Sequence, residues 1–483
     1  MRIEPIGYIV LLLGALSVVY GARFAIRTFC LSTLFGAAAA LQLPSFGGGS
    51  IQPGHLMVLF LVATALLRPI ETQAALLSIA YPSPGFWFAV YILFSAVSAF
   101  FLPRIFAGAT LVYSSARDIS GTMSTVASPL SPGSSNFTQA VYILGDLACF
   151  AVIGGLARLG HSHSIARTLI LTAMACLGIA LLDVGTFLTG QSHLLDFIRN
   201  ANYTMHTAET ISGFKRIVGS FPEASSYGSA ALAFFSFTLL LWLERFPSRL
   251  VGLATASIGI TIALCTSTTA YIAGLFVLLI LVLFSLKRLL GGRATAPYST
   301  FLVVALFIVP CTVVTLMLIP NAWDSVTDLI SITFADKLQS QSGEERTAWN
   351  TLALISFIET ATFGAGLGTV RSSSFIAALL SNVGLVGTAL FAVFLYSLLT
   401  AGRRHISSSQ QDRAIGIAAV FSSIAQIASA TISGSSTDLG LLFSITAGLA
   451  TGCLADPNGV PRHATGSCVS PHALEASPML TAR

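Results

Sequence analysis

Apolar runs of roughly 20 residues recur along the chain from near its start to about residue 455, separated by short polar connections. A run of that length reads as a membrane-spanning helix, because a helix satisfies its own backbone hydrogen bonds where lipid offers none. The expected spans are 6–22, 24–43, 55–69, 85–102, 137–157, 166–188, 226–243, 249–265, 268–286, 300–320, 374–400, 413–432 and 438–455. The fold class that follows is all-α: a polytopic integral membrane protein of about 12–13 transmembrane helices, one domain covering 1–455. The stretch 351–366 reads as re-entrant or interfacial. Residues 456–483, rich in Pro, Ser, His and Gly and without an apolar period, read as a disordered cytoplasmic tail. Ile6 to Tyr20 lacks a basic leader and a clean small-residue cleavage site, so it reads as a retained helix.

Composition agrees with the pattern. The chain is 54% hydrophobic and 9% charged, where soluble domains carry about 25% charged residues. Its net charge of +5 therefore says little about nucleic acid and more about the membrane. Arg23, Arg27, Arg68, Arg158, Arg167, Arg245, Arg249, Lys287, Arg288, Arg293, Arg403, Arg404 and Arg413 fall in alternate connections; with Arg462 and Arg483 they make 15 of the 24 Lys and Arg. The positive-inside rule puts these connections in the cytoplasm. The segments 103–136, 189–225 and 321–373 then lie outside, two of them as long polar loops, 189–225 and 321–373. In a bacterial inner membrane, outside is the periplasm, where neither ATP nor nucleotide sugar is at hand. Of the seven cysteines, all but Cys468 lie in or beside apolar runs and none forms a CxxC pair, so packing is their expected role.

The long loops hold the candidate chemistry. In the first, Arg199, Tyr203, His206, Glu209, Lys215, Arg216 and Glu223 precede the helix entered at Tyr227. Gly219, Ser220 and Pro222 suit a tight turn there. An arginine fork matches a phosphate with two parallel charge-assisted bonds. Glu223 at a helix entrance has a plainer reading, a charge favoured by the helix dipole. In the second loop a helix starting near Ser342 would put Arg346 and Trp349 on one face, with Glu344 and Glu345 beside them. An interfacial helix with a Trp anchor is the plainer alternative. Gly364, Gly366, Gly368 and Arg371 then lead into a helix N-terminus, which can receive an anion. Asp146, Asp183 and Glu359 sit within apolar stretches, where ionisable groups are functional candidates. No metal-ligand motif is evident; His161 and His163 have no further ligand nearby in sequence.

RIVGSFPEAS, leading into a helix, resembles the R-x-x-G-x-F-x-(N/E) element of the O-antigen polymerase and O-antigen ligase superfamily. EERTAWN, then GAGLG, then SNVGLVG, resembles that family's R-x-x-W, G-x-G and (E/N)-x-G-L-x-G elements, and SPLSPGSSNFTQAVYIL resembles exopolysaccharide polymerases. The resemblance spans roughly 125–395. It implies a periplasmic polymerase of undecaprenyl-pyrophosphate-linked repeat units, with no metal and no cofactor. Its partners would be the lipid-linked glycan, the bilayer, and a chain-length regulator and flippase of the same pathway. By position Arg216 and Arg346 would engage the pyrophosphate; Glu223 is the first candidate base, Glu344 or Glu345 the second. Tyr203, Lys215, Trp349 and Arg371 would complete the substrate site. Two departures stand out. The family's ligases commonly show a His after G-x-G, where this chain has Arg371-Ser372-Ser373, and Thr268 stands where an Arg is expected. The missing His weakens the alternative of an O-antigen ligase acting on another acceptor more than it weakens a polymerase. A flippase or transporter is the alternative from another class.

Overall fold

Proline sets the start of four helices. Pro5, Pro53, Pro69 and Pro84 each open one, at the position where a helix has no use for the missing N–H. The computed structural model describes residues 2–43, 49–117, 123–203, 205–211, 214–292, 295–317, 341–404 and 409–454. The tail 456–483 and residues 321–340 of the loop 321–373 lie outside the described residues.

The helices are α1 (Pro5–Tyr20), α2 (Ala22–Ser32), α3 (Pro53–Leu66), α4 (Pro69–Ser78), α5 (Pro84–Ile105), α6 (Ser134–Leu156), α7 (Ser162–Leu188), α8 (Ala224–Leu243), α9 (Leu250–Leu264) and α10 (Thr268–Leu290). They continue as α11 (Ala296–Val303), a π turn, α12 (Val309–Met317), α13 (Gln341–Glu359), α14 (Phe375–Arg404), α15 (Gln410–Ser433) and α16 (Leu441–Cys453). The protein is thus mostly helical. Among the described residues six helical runs are long and apolar enough to cross a membrane, or up to seven if α3 and α4, bent by 116°, count as one. One of the six is a 55-residue run, Ser134–Leu188. At about 1.5 Å per residue it would be roughly 80 Å long, far beyond a ~30 Å hydrocarbon core. Gly160, at φ 90°, breaks it into α6 and α7, of 23 and 27 residues, each long enough alone. The apolar helices α1, α9 and α16 are shorter, at 16, 15 and 13 residues.

Two expectations are corrected. The run 24–43 is not one span: α2 ends at Ser32, and the chain turns through Gly36 into a buried, non-helical Ala37–Ala40 segment. Its backbone is satisfied by protein, with Ala37 N donating to Ser220 O (2.9 Å), Ala39 N to Asn200 Oδ1 (2.9 Å) and Ala40 N to Ile51 O (2.8 Å). Its apolarity reflects burial in protein, which sequence hydropathy cannot tell from burial in lipid. Nor is the chain purely helical. β1 (Arg2–Ile3), β2 (Leu41–Leu43) and β3 (Gly49–Ile51) form an antiparallel sheet in that order; β4 (Leu111–Arg117) pairs with β5 (Met123–Pro129), and β6 (Thr210–Ile211) with β7 (Phe214–Lys215).

At the core, α8 is buried on nearly every face and lies against α9 and α15, while α6 packs on α4, α5 and α16. Phe88 joins α5 to α6 and α14, its ring centroid 4.8 Å from Phe150 and 4.7 Å from Phe394.

Candidate active site

The segment from Arg199 to Glu223 is built on one buried carboxylate. Asp183, near the end of α7 and 1% exposed, accepts the backbone N–H groups of Val218 (3.0 Å) and Gly219 (3.1 Å) on Oδ2. Its Oδ1 accepts Arg199 Nη2 at 2.6 Å, with Lys215 Nζ at 3.5 Å. Arg199 also donates to Gly219 O, and Gly219 takes φ 56°, closing the turn. Ser220 Oγ then donates to Leu34 O at 2.7 Å, pinning the turn to the chain beyond α2. Asp183 is therefore an anchor, which its place in an apolar run left open. Asp183→Ala would strand Arg199 and two amides in the interior, and breaking a buried pair costs about 3–5 kcal/mol. We expect a large fall in the melting temperature of the purified protein and a milder one for Asp183→Asn; an unmoved Ala variant would end the anchor role.

This anchoring carries Glu223 to the start of α8. Glu223 is the N-cap residue, its O accepting Tyr227 N at 3.1 Å, while its Oε1 accepts Ser225 Oγ. Glu223 and Tyr203 line a cleft of 510 Å³ between the ends of α2, α3, α8, α15 and α16. Tyr203 donates its hydroxyl to Gly36 O, and burial pushes that hydroxyl up to about 12. Three helix N-termini, at Gln52, Glu223 and Gly440, line the same cleft. Each carries the partial positive charge of unpaired amides.

The glycine loop forms the second wall. Asn382 on α14 clamps it: Oδ1 accepts Thr369 N (3.1 Å) and Val370 N (3.0 Å), and Nδ2 donates to Val370 O (2.9 Å). From α6, Asn136 Nδ2 donates to Leu367 O (2.7 Å) and Thr369 Oγ1 (2.8 Å). Gly366 takes φ 97°, and a Cβ there would lie 2.4 Å from Pro103, so only glycine fits. Beyond the loop, Arg371 N donates to Tyr113 O of β4 at 2.9 Å, and the Arg371 guanidinium stacks 4.7 Å from the Trp349 ring centroid. Burial lowers the Arg371 pKa, while the charges of Glu223 and Glu345 raise it. Arg371 lines a second hollow of 180 Å³, which shares Ser435 and Ser436 with the large cleft.

The expected residues thus divide. Glu223, Tyr203 and Arg371 line the two adjoining hollows, and Trp349 lines neither but stacks against Arg371. Lys215 and Arg216 do not line them. The Lys215 side chain is 5% exposed and faces Asp183, and burial lowers its pKa against that partner. Arg216 pairs with Glu209, which also meets His206 Nδ1 at 2.7 Å. Arg346 lies on α13 on the same helix as Trp349, and with exposed Glu344 and Glu345 it lines neither hollow. Sequence reasoning missed Gln52, His55, Tyr142, Gln426 and Asp438, all lining the cleft. The polar run GSSTDLG at 434–440, set between two apolar stretches, was the one available signal.

Fold and site together define a mostly helical protein, with helices able to cross a membrane and a polar, acid-bearing cleft among their ends. No protein-family model, curated protein or solved structure matches the chain.

Proposed function

We propose that the protein is a membrane glycosyltransferase of the bacterial inner membrane that joins undecaprenyl-pyrophosphate-linked oligosaccharide repeats at the periplasmic face. The observation that carries this reading is the convergence of Glu223 and three helix N-termini on one cleft that adjoins the hollow of Arg371. The cleft pairs a carboxylate base with positive electrostatics suited to a diphosphate. A hydroxyl of the acceptor glycan attacks the anomeric carbon of the donor, and its proton goes to Glu223. The bond from that carbon to the diphosphate oxygen breaks, and the electron pair leaves with the diphosphate. Arg371 and the helix N-termini offset the charge that develops there. The donor carries its own leaving group, so the reaction calls for no energy source outside the cell.

Deleting the gene and sizing the surface glycan tests the reading. Single repeats left attached to their acceptor are the expected result; full-length chains that remain unattached would replace the polymerase with a ligase, and unchanged glycan would remove both. The orientation has its own check. Reporter fusions near Thr207 and Ser340 should behave as periplasmic and those near Leu290 and Ser408 as cytoplasmic. A cytoplasmic signal at Ser340 would invert the topology and take the periplasmic chemistry with it.

A further inference from the structure

Asp438 and Leu439 line the large cleft and also a second, smaller cavity of about 10 Å³, the space of one water-sized species. The polar residues lining that cavity are Tyr91 on α5, Asp146 on α6, Thr437 and Asp438 ahead of α16, and Ser444 on α16. Asp146, Thr437 and Ser444 are 3%, 4% and 1% exposed. Asp146 and Asp438 both line this space, and Asp438 Oδ1 accepts Gly440 N at 2.6 Å. Three buried oxygens of this lining have no hydrogen-bond partner among the described residues: Asp146 Oδ1, Thr437 Oγ1 and Ser444 Oγ. On the cleft side of Asp438, half-buried His55 has both ring nitrogens out of solvent and without a hydrogen-bond partner among the described residues, its ring 4.4 Å from that of Tyr142.

Two carboxylates lining one such small space among Phe88, Ile92 and Phe443 repel one another unless a positive charge lies between them. Carboxylate and hydroxyl oxygens are the donors that hard cations take. Calcium asks for about six to eight oxygens and magnesium keeps several waters; of the six side-chain oxygens of Asp146, Thr437, Asp438 and Ser444, Asp438 Oδ1 is already taken by Gly440 N, and a one-water space has no room for further waters. One single positive charge fits. We propose that this cavity binds one small monovalent cation, Na⁺ held by Asp146, Thr437, Asp438 and Ser444 or a proton shared by the two carboxylates, loaded from the cleft through Asp438. The other titratable groups facing the pair are His55 on α3, Tyr91 on α5, and Tyr142 and Cys149 on α6, with Cys30 of α2 acting on Cys149. Tyr91 donates its hydroxyl to Thr437 O at 3.2 Å and so fixes the segment that brings Asp438 to Asp146.

The experiment is thermal unfolding of the purified full-length protein in detergent, titrated with NaCl against KCl and choline chloride at constant ionic strength and several pH values. Infrared spectroscopy of protonated carboxyl groups accompanies it. If Na⁺ is the ligand, the melting temperature rises saturably with Na⁺ alone, and more Na⁺ is needed as pH falls because protons compete. Asp146→Asn, which keeps the shape and one oxygen but puts an NH2 donor in place of the other, loses that rise; Ser444→Ala needs about tenfold more Na⁺ or above. If the proton is the ligand, Na⁺ has no specific effect, and a protonated carboxyl band present at neutral pH disappears in Asp146→Asn. Ser444→Ala removes only one hydroxyl, so it decides the Na⁺ arm even if Asp146→Asn fails to fold. A protein with neither Na⁺-specific stabilisation nor a protonated carboxyl band at neutral pH overturns the site. No glycan enters these readouts, so they stand or fall apart from the catalytic reading.

Discussion

Glu223→Gln is expected to slow glycan polymerisation by about a hundred- to ten-thousand-fold, the usual worth of a general base. The amide keeps the size of the side chain and can still meet Ser225, whose hydroxyl bonds Glu223 Oε1, so the start of α8 should stay intact. It cannot take the proton from an attacking hydroxyl. If Glu223 served only the helix dipole, the change would be worth about 0.3–1 kcal/mol of stability and turnover would hardly move. Purified enzyme with a lipid-linked repeat separates the two by orders of magnitude. Near-normal turnover would pass the role of base to Asp438, the other carboxylate lining the cleft.

The second large effect concerns the cations. Arg371→Ala should reduce turnover by about a hundred- to a thousandfold, as loss of one preorganised donor does. Arg371→Lys should recover only part, because a point charge neither forks onto a diphosphate nor stacks on Trp349 as the planar group does. Arg216→Ala should cost less than Arg371→Ala, since Arg216 is engaged with Glu209 and lines neither hollow. Side-by-side assays of the two alanine variants decide the order. Were Arg216 the more damaging, the pyrophosphate contact would return to the position that the family resemblance assigned it.

Much of the fold was legible because lipid-length apolar runs carry one meaning when they are uninterrupted. From α5 through α10 the expected spans and the helices coincide within a few residues. The run 24–43 misled because Ala37–Ala40 is as apolar as a span yet lies inside the protein, its amides taken by Ser220, Asn200 and Ile51. The sheets of β1–β3 and of β6–β7 were illegible because strands of two or three residues are too short to show a period of two, and the seven-residue β4 and β5, LVYSSAR and MSTVASP, carry no clean apolar–polar alternation. At the site, Glu223, Tyr203 and Arg371 could be named from loop composition and motif order. The true partners of Lys215 and Arg216 could not, because a loop sequence does not say that Asp183, 32 residues before Lys215, reaches up to meet it. Nothing in the sequence singled out Asp438, since the cavity it shares with Asp146 joins positions almost 300 residues apart.

The way Asp183 is used bears on how freely this region can drift in sequence. It holds Val218 and Gly219 by their amides, not by their side chains, and Asn382 holds Thr369 and Val370 in the same manner. A contact made to backbone makes no demand on the identity of the residue that supplies it. The path of both segments is therefore inherited through a few scattered letters, an Asp on one helix, an Asn on another and the glycines they face. Val218, Ala365, Leu367 and Val370 are buried, so they are bound only to side chains that fill the same apolar space. Lineages that share this architecture could exchange one apolar residue for another there and keep the loop's course.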